Sequence, residues 1–141
     1  MKYLLDTCVL SEFAKPSPQA SVIRWLSQQD DEALTISVVT AGEIQNGIAQ
    51  LPEGKRREGL QTWLDEQLLP RFQGRILSVS LEDTLQWGRL RGEQRARGVT
   101  LPPTDALLAA TAQNHRLILV TRNTKDFAQT QLSLLDPWID G

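Results

Sequence analysis

Along the chain, short continuous apolar runs alternate with longer stretches whose apolar residues recur every three or four positions. The runs YLL (3–5), LTIS (34–37), RILSV (75–79) and LILVT (117–121) are bounded by polar or turn residues, and each predicts a buried strand. A short helix is expected over 9–15. The stretch 18–29 carries Val22, Ile23, Trp25 and Leu26 in a helical cluster, and 38–51 sets Ile44, Ile48 and Leu51 on one face before the stop signal Leu-Pro-Glu-Gly (51–54). Over 55–69, Leu60, Trp63, Leu64 and Leu68 have the spacing of one buried stripe, and Pro70 is expected to end that helix. The helix over 81–97 continues with Leu81 and Leu85, then Gly88 and Gly92, small residues that invite close approach of another backbone; Gly98 is placed as its cap. Pro102-Pro103-Thr104-Asp105 opens the last long helix, where a proline forfeits little. Strands alternating with helices predict an α/β fold, a mostly parallel central sheet of four or five strands flanked by helices. No repeat, low-complexity tract or linker interrupts the 141 residues, which suit one domain over 1–141.

In an open parallel sheet, ligands bind beyond the carboxyl ends of the strands. Asp6 directly follows the first strand, and Asp126 lies in TRNTKDF just after the last. At 100° per residue, Glu43 stands roughly 90–100° from the centre of its helix's buried stripe, and Asp105 at a similar angle from its own. Four carboxylates are thus expected at one edge of the sheet. Like charges a few ångströms apart push pKa values upward, and a hard divalent cation, Mg²⁺ or Mn²⁺, removes the conflict and acidifies a bound water. Structural readings compete at each position. Asp6 suits a helix cap; Thr40-Ala-Gly-Glu43 has the spacing of a capping box, unless Ser37 takes the cap and frees Glu43; Asp105 suits the positive end of its helix; and Asp126 suits a solvated turn.

Composition narrows the field. Hydrophobic residues make up 40% and charged residues 23% of the chain, enough apolar material for a core. A net charge of −2 excludes coating of nucleic acid by bulk charge and leaves room for a local basic patch. Cys8 is the sole cysteine and His115 the sole histidine. The first excludes an internal disulfide and suits a reducing compartment; the second excludes a two-histidine ribonuclease mechanism. No run approaches the roughly 20 apolar residues of a membrane span, and none near the start serves as a signal peptide, so a cytoplasmic protein without membrane contact is expected.

The segments LLDTCVLSE (4–12), SVVTAGEIQNGIAQL (37–51), LLPRFQGRILSV (68–79) and PPTDALLAATAQNHRLILVTRNTKDF (102–127) together resemble PIN-domain nucleases of the VapC/FitB toxin type, across essentially the whole chain. The resemblance implies a PIN-like three-layer sandwich and a Mg²⁺-dependent (or Mn²⁺-dependent) endoribonuclease. It makes Asp6, Glu43 and Asp105 metal-binding catalytic residues and Asp126 a fourth, water-mediated ligand, with Thr7 and Asn123 in support. Relatives carry either an acidic residue where this chain has Asn123, or asparagine there with an aspartate three residues on. Many carry asparagine in place of Cys8, which is expected to pack as a small apolar residue. The resemblance also implies a cognate VapB/FitA-like antitoxin that inhibits the toxin and alone contacts promoter DNA, and a homodimer, with two dimers in some antitoxin complexes.

RNA needs cations around an acidic crevice. Lys55-Arg56-Arg57 and the set Arg89, Arg91, Arg95 and Arg97 are the candidates, with Arg95 and Arg97 foremost and a solvated helix face as the competing reading. An apolar groove between the first helices would suit an amphipathic partner segment, and Trp25 is a candidate to line it. A haloacid-dehalogenase phosphatase needs an aspartate where Cys8 stands, and a phosphoacceptor domain needs one after RILSVS (75–80), where none is found. A catalytically weak PIN-fold interaction module, working within a DNA-binding toxin–antitoxin complex, is the alternative to the enzyme.

Overall fold

The computed structural model describes residues 1–139. Among the described residues the first apolar run, β1 (Tyr3–Leu5), lies at the centre of a five-stranded parallel sheet. It pairs with β2 (Leu34–Ser37) on one side, Tyr3 opposite Leu34, and with β4 (Ile118–Val120) on the other, Leu4 opposite Leu119. Beyond β2 lies β3 (Ile76–Leu77), and beyond β4 lies β5 (Leu134–Leu135), for an order of β3-β2-β1-β4-β5. The strand order reverses beside β1, because the chain leaves it first toward β2 and later returns on the other side as β4. That reversal opens a crevice beyond the carboxyl ends of β1 and β4.

Successive strand residues face opposite sides of a sheet, and here they feed two separate cores. Tyr3, Leu5 and Val120 pack with α1 (Thr7–Ser11), α2 (Ala20–Ser27), α3 (Val38–Ala49) and the helical run that α4 (Lys55–Trp63) begins, through Val9, Trp25, Ile44 and Leu64. Leu4 and Leu119 pack on the other face with α6 (Leu81–Ala96) and α7 (Pro103–His115), through Leu90, Leu108 and an alanine-rich stripe. Small side chains on α7 let α6 lie close to it. The result is the expected three-layer sandwich. Among the described residues no helix is long and apolar enough to cross a membrane.

Several expectations need correction. Pro70 does not stop the helix at 69 as expected: α4 runs without a break through a wide π-type turn over Leu64–Leu68 into α5 (Leu69–Arg71), and the helical run ends one residue past Pro70. Trp25 does not line a groove. It is 5% exposed and meets the Tyr3 ring edge-on at 4.9 Å, inside the core. Leu81 and Leu85 do not continue a buried stripe, being 68% and 52% exposed, and a Cβ added at Gly88 or Gly92 would meet nothing within 4 Å. Helix α6 instead turns Asp83, Leu90 and Gln94 inward. The strand expected over 75–79 shortens to β3, and the two-residue β5 completes the sheet.

Candidate active site at the sheet reversal

Asp6 is the first residue past β1 and is 7% exposed. Its Oδ1 accepts from the Thr7 backbone N–H at 2.8 Å, capping α1, so the structural reading of this residue is correct as far as it goes. The second oxygen is held from the neighbouring strand: Thr121, the first residue past β4, donates its hydroxyl to Asp6 Oδ2 at 2.8 Å. Thr121 in turn accepts the Asn123 N–H at 3.0 Å, and the Asn123 carbonyl accepts the Asp126 N–H at 3.0 Å. Asn123 therefore acts through its backbone, and it shapes the loop that carries Asp126. Thr121 was not among the residues expected at the site. A threonine at a strand end is ordinary β composition, and only the pairing of β4 with β1 gives its hydroxyl a role.

Glu43 enters from the second turn of α3. Ser37 takes the N-cap, accepting from the Val39 N–H at 3.1 Å, so no capping box ties Glu43 down. Its side chain turns toward the crevice, where Thr7 donates its hydroxyl to Glu43 Oε1 at 3.4 Å. Asp105 enters from the first turn of α7, the helix that runs back along β4, and is half-buried. Asp126 is exposed on its loop.

Charge links these groups more than contact does. Burial pushes the Glu43 carboxyl above its ordinary value, and the charges of Asp6 and Asp105 push it further, against the Thr7 hydrogen bond. Burial likewise pushes Asp105 up, reinforced by Asp6 and Asp126. All four carboxylates thus belong to one repelling field, although among the described residues no three His, Cys, Asp or Glu side chains are drawn together closely enough to hold an ion directly. The donor set is wholly carboxylate oxygen, the chemistry of a hard cation that keeps much of its water shell and reaches some ligands through it. Zinc chemistry is not suggested: Cys8 is the one thiol, burial pushes it up and Asp6 adds to this, while the Arg122 N–H pulls the other way. Its sulfur packs against the first core and lies 3.7 Å from the Thr121 hydroxyl. His115 is far from the crevice, paired with Asp83 at 3.1 Å.

One apolar surface reaches the crevice. An apolar groove runs from Thr7 and Glu43 between α1, α3 and α4, walled by Ile48, Leu60 and Trp63 and extending past Arg56 to Phe13. It replaces Trp25 with Trp63 and Phe13 as its aromatic lining. Among the expected RNA contacts, Arg95 lines a separate recess at the end of α6, and Arg97 is exposed at that helix's C-cap.

A family model described as PIN domain matches residues 3–131. The chain is 34% identical over 135 residues to the VapC ribonuclease Y4jK of Sinorhizobium fredii, covering 96% of each chain. The fold is similar to that of FitAcB from Neisseria gonorrhoeae, with a TM-score of 0.90, 33% identity and coverage of 97% of this chain and 99% of the other. It is similar also to FitAB bound to an IR36 DNA fragment, with a TM-score of 0.89, 32% identity and coverage of 96% and 95%.

Proposed function

This chain belongs to the PIN-domain family, in its VapC/FitB branch, and from that membership we propose that it is the endoribonuclease toxin of a toxin–antitoxin pair, one PIN domain over 1–141, acting in the cytoplasm. The reading is supported above all by one observation, the shared field of Asp6, Glu43, Asp105 and Asp126 at the sheet reversal. In the proposed mechanism Asp6, Glu43, Asp105 and Asp126 would hold Mg²⁺ or Mn²⁺, which would supply charge neutralisation at the scissile phosphate and a more acidic water as nucleophile. The chain's own residues prepare for this. Thr121 and the Thr7 N–H fix both Asp6 oxygens, and Thr7 ties Glu43 to the same centre. Arg95 and Arg97 offset the repulsion between an acidic crevice and a polyanion.

The partner is a VapB/FitA-like antitoxin, and the fold neighbours FitAcB and FitAB are complexes of that kind. Its inhibitory segment is assigned to the Trp63–Phe13 groove, which is lined mainly by apolar side chains with Arg56 beside them and ends at Glu43 and Thr7. A segment seated there would cover the acidic centre. DNA is contacted by the antitoxin, and the toxin itself pairs as a homodimer. Cleaved RNA tests the reading. Hydrolysis by an activated water leaves 3′-hydroxyl and 5′-phosphate ends, and Asp6→Asn is expected to lower the rate by at least about a hundredfold. Cyclic 2′,3′-phosphate ends in the mass spectrum, or an Asp6→Asn protein as active as wild type, would refute it.

A further inference from the structure

The C-terminal end of α6 holds a recess of about 370 Å³ outside the acidic crevice, lined among others by Arg91, Gln94, Arg95, Thr100 and Leu101. Its shape follows from how the helix stops. Gly98 takes a left-handed conformation, φ +71°, and the chain folds back so that the Gly98 N–H reaches the Arg95 carbonyl at 3.1 Å and the Val99 N–H reaches the Gln94 carbonyl at 2.8 Å. This return lays Thr100 and Leu101 beside Gln94. The Gln94 side chain is 3% exposed, and its Nε2 has no hydrogen-bond partner among the described residues. A buried amide donor without an acceptor is unfavourable, and such a group in a native fold calls for an explanation.

The surroundings of that donor are cationic. Arg91 is fixed in place, stacked on the Trp87 ring at 5.5 Å and donating to the Leu101 carbonyl at 3.3 Å. Arg95 is exposed, and its guanidinium has no ion pair or hydrogen bond among the described residues. Among the described residues no carboxylate lines the recess, although the chain as a whole is net negative. Leu101 lies four residues before Asp105, so the recess neighbours the crevice along the chain.

We propose that this recess binds a phosphodiester group of the RNA away from the acidic centre, with Gln94 Nε2 and Arg95 donating to its oxygens and Arg91 supplying charge from a fixed position. The inference rests on the ribonuclease reading and extends it to residues outside the acidic centre. A phosphate suits the recess better than a base, because two guanidinium groups and an amide N–H all donate.

The test is binding of a short single-stranded RNA, followed by fluorescence anisotropy in chelator so that the strand stays intact, for wild type, Gln94→Leu and Arg95→Gln. Each variant is expected to bind about tenfold more weakly. Arg95→Gln is also expected to flatten the slope of log affinity against log salt by roughly 0.7, whereas Gln94→Leu leaves it unchanged. Gln94→Leu is expected to melt no lower than wild type, since it removes an unpaired buried donor. If it melts lower, Arg95→Gln and its salt slope decide alone. Affinities within about twofold of wild type would overturn the proposal. So would unchanged RNA binding with weakened antitoxin binding, or a Gln94 side-chain NMR signal that responds to inorganic phosphate but not to RNA. Hydrolysis of bis(p-nitrophenyl) phosphate by the wild type reports the crevice separately. If it is absent while both variants still weaken RNA binding, the nuclease reading falls and the recess stands.

Discussion

At the residue scale, the best-defined interaction at the site belongs to Thr121. One hydroxyl joins the end of β4 to the end of β1 through Asp6 and sets the start of the 121–127 loop through the Asn123 N–H. A group that orients a ligand without touching substrate commonly matters 10- to 100-fold. Thr121→Val keeps the shape and β-branching but removes the hydroxyl, so RNA cleavage is expected to fall by roughly that factor, with Thr121→Ser recovering most of it. Valine as active as threonine, in a steady-state cleavage assay, would show that Asp6 is held well enough by the Thr7 N–H and the Cys8 thiol. The contrast between Asp6 and Thr121 shows what a sequence discloses. An acidic residue at the end of an apolar run contradicts its surroundings and attracts notice. A threonine there agrees with them, and its role becomes visible only when a strand more than a hundred positions away is laid beside it.

At the element scale, α6 and α7 are clasped at one end by Asp83. Its carboxylate and Ser80 form a reciprocal capping box, and the Asn114 side chain, at 2.7 Å, and His115 bond it from the end of α7. Burial pushes this carboxyl up, but the Ser80 N–H, the Asn114 amide, the Ser80 hydroxyl and His115 outweigh it and hold it below the usual range. Asp83→Ala takes this shared acceptor from the Ser80 N–H, the Asn114 amide and His115, of which the last two can turn to water, and is expected to lower unfolding stability by roughly 2 kcal/mol, read by urea titration. Because the folded pKa lies below the unfolded one, this contribution is present above about pH 4 and is lost as pH falls through the folded value. The gap between wild type and variant should therefore narrow in acid. Four strands were legible because their apolar runs are continuous. Two-residue β5 carries no period to read, and Leu81 and Leu85 misled because four-residue spacing marks a stripe without saying which way it faces.

For the whole molecule, two sets of carboxyls respond to acid in opposite senses. Asp83 and Glu12 lie below their ordinary values. Burial raises Glu12, and Lys15 and the Gln19 N–H more than offset it. These two lose their contribution as pH falls. Glu43 and Asp105 lie above their ordinary values, burial first and neighbouring carboxylates second. Their folded pKa values exceed the unfolded ones, so the stability they give is complete below about pH 4 and is lost as pH rises through the folded values. In chelator, the melting temperature is therefore expected to peak in mild acid and to decline toward neutrality. A divalent ion bound by the native crevice stabilises it by mass action and favours the ionised carboxylates, so Mn²⁺ should raise the melting temperature most at neutral pH and move the peak upward. Glu43→Gln separates the two effects within one residue. In chelator at neutral pH it should melt above wild type, having lost a repelling charge, while its gain from Mn²⁺ should be smaller and its RNA cleavage weak. If Mn²⁺ leaves the wild-type melting curve unmoved at neutral pH, the repulsion at the sheet reversal is not relieved by an ion, and the carboxylates need another role.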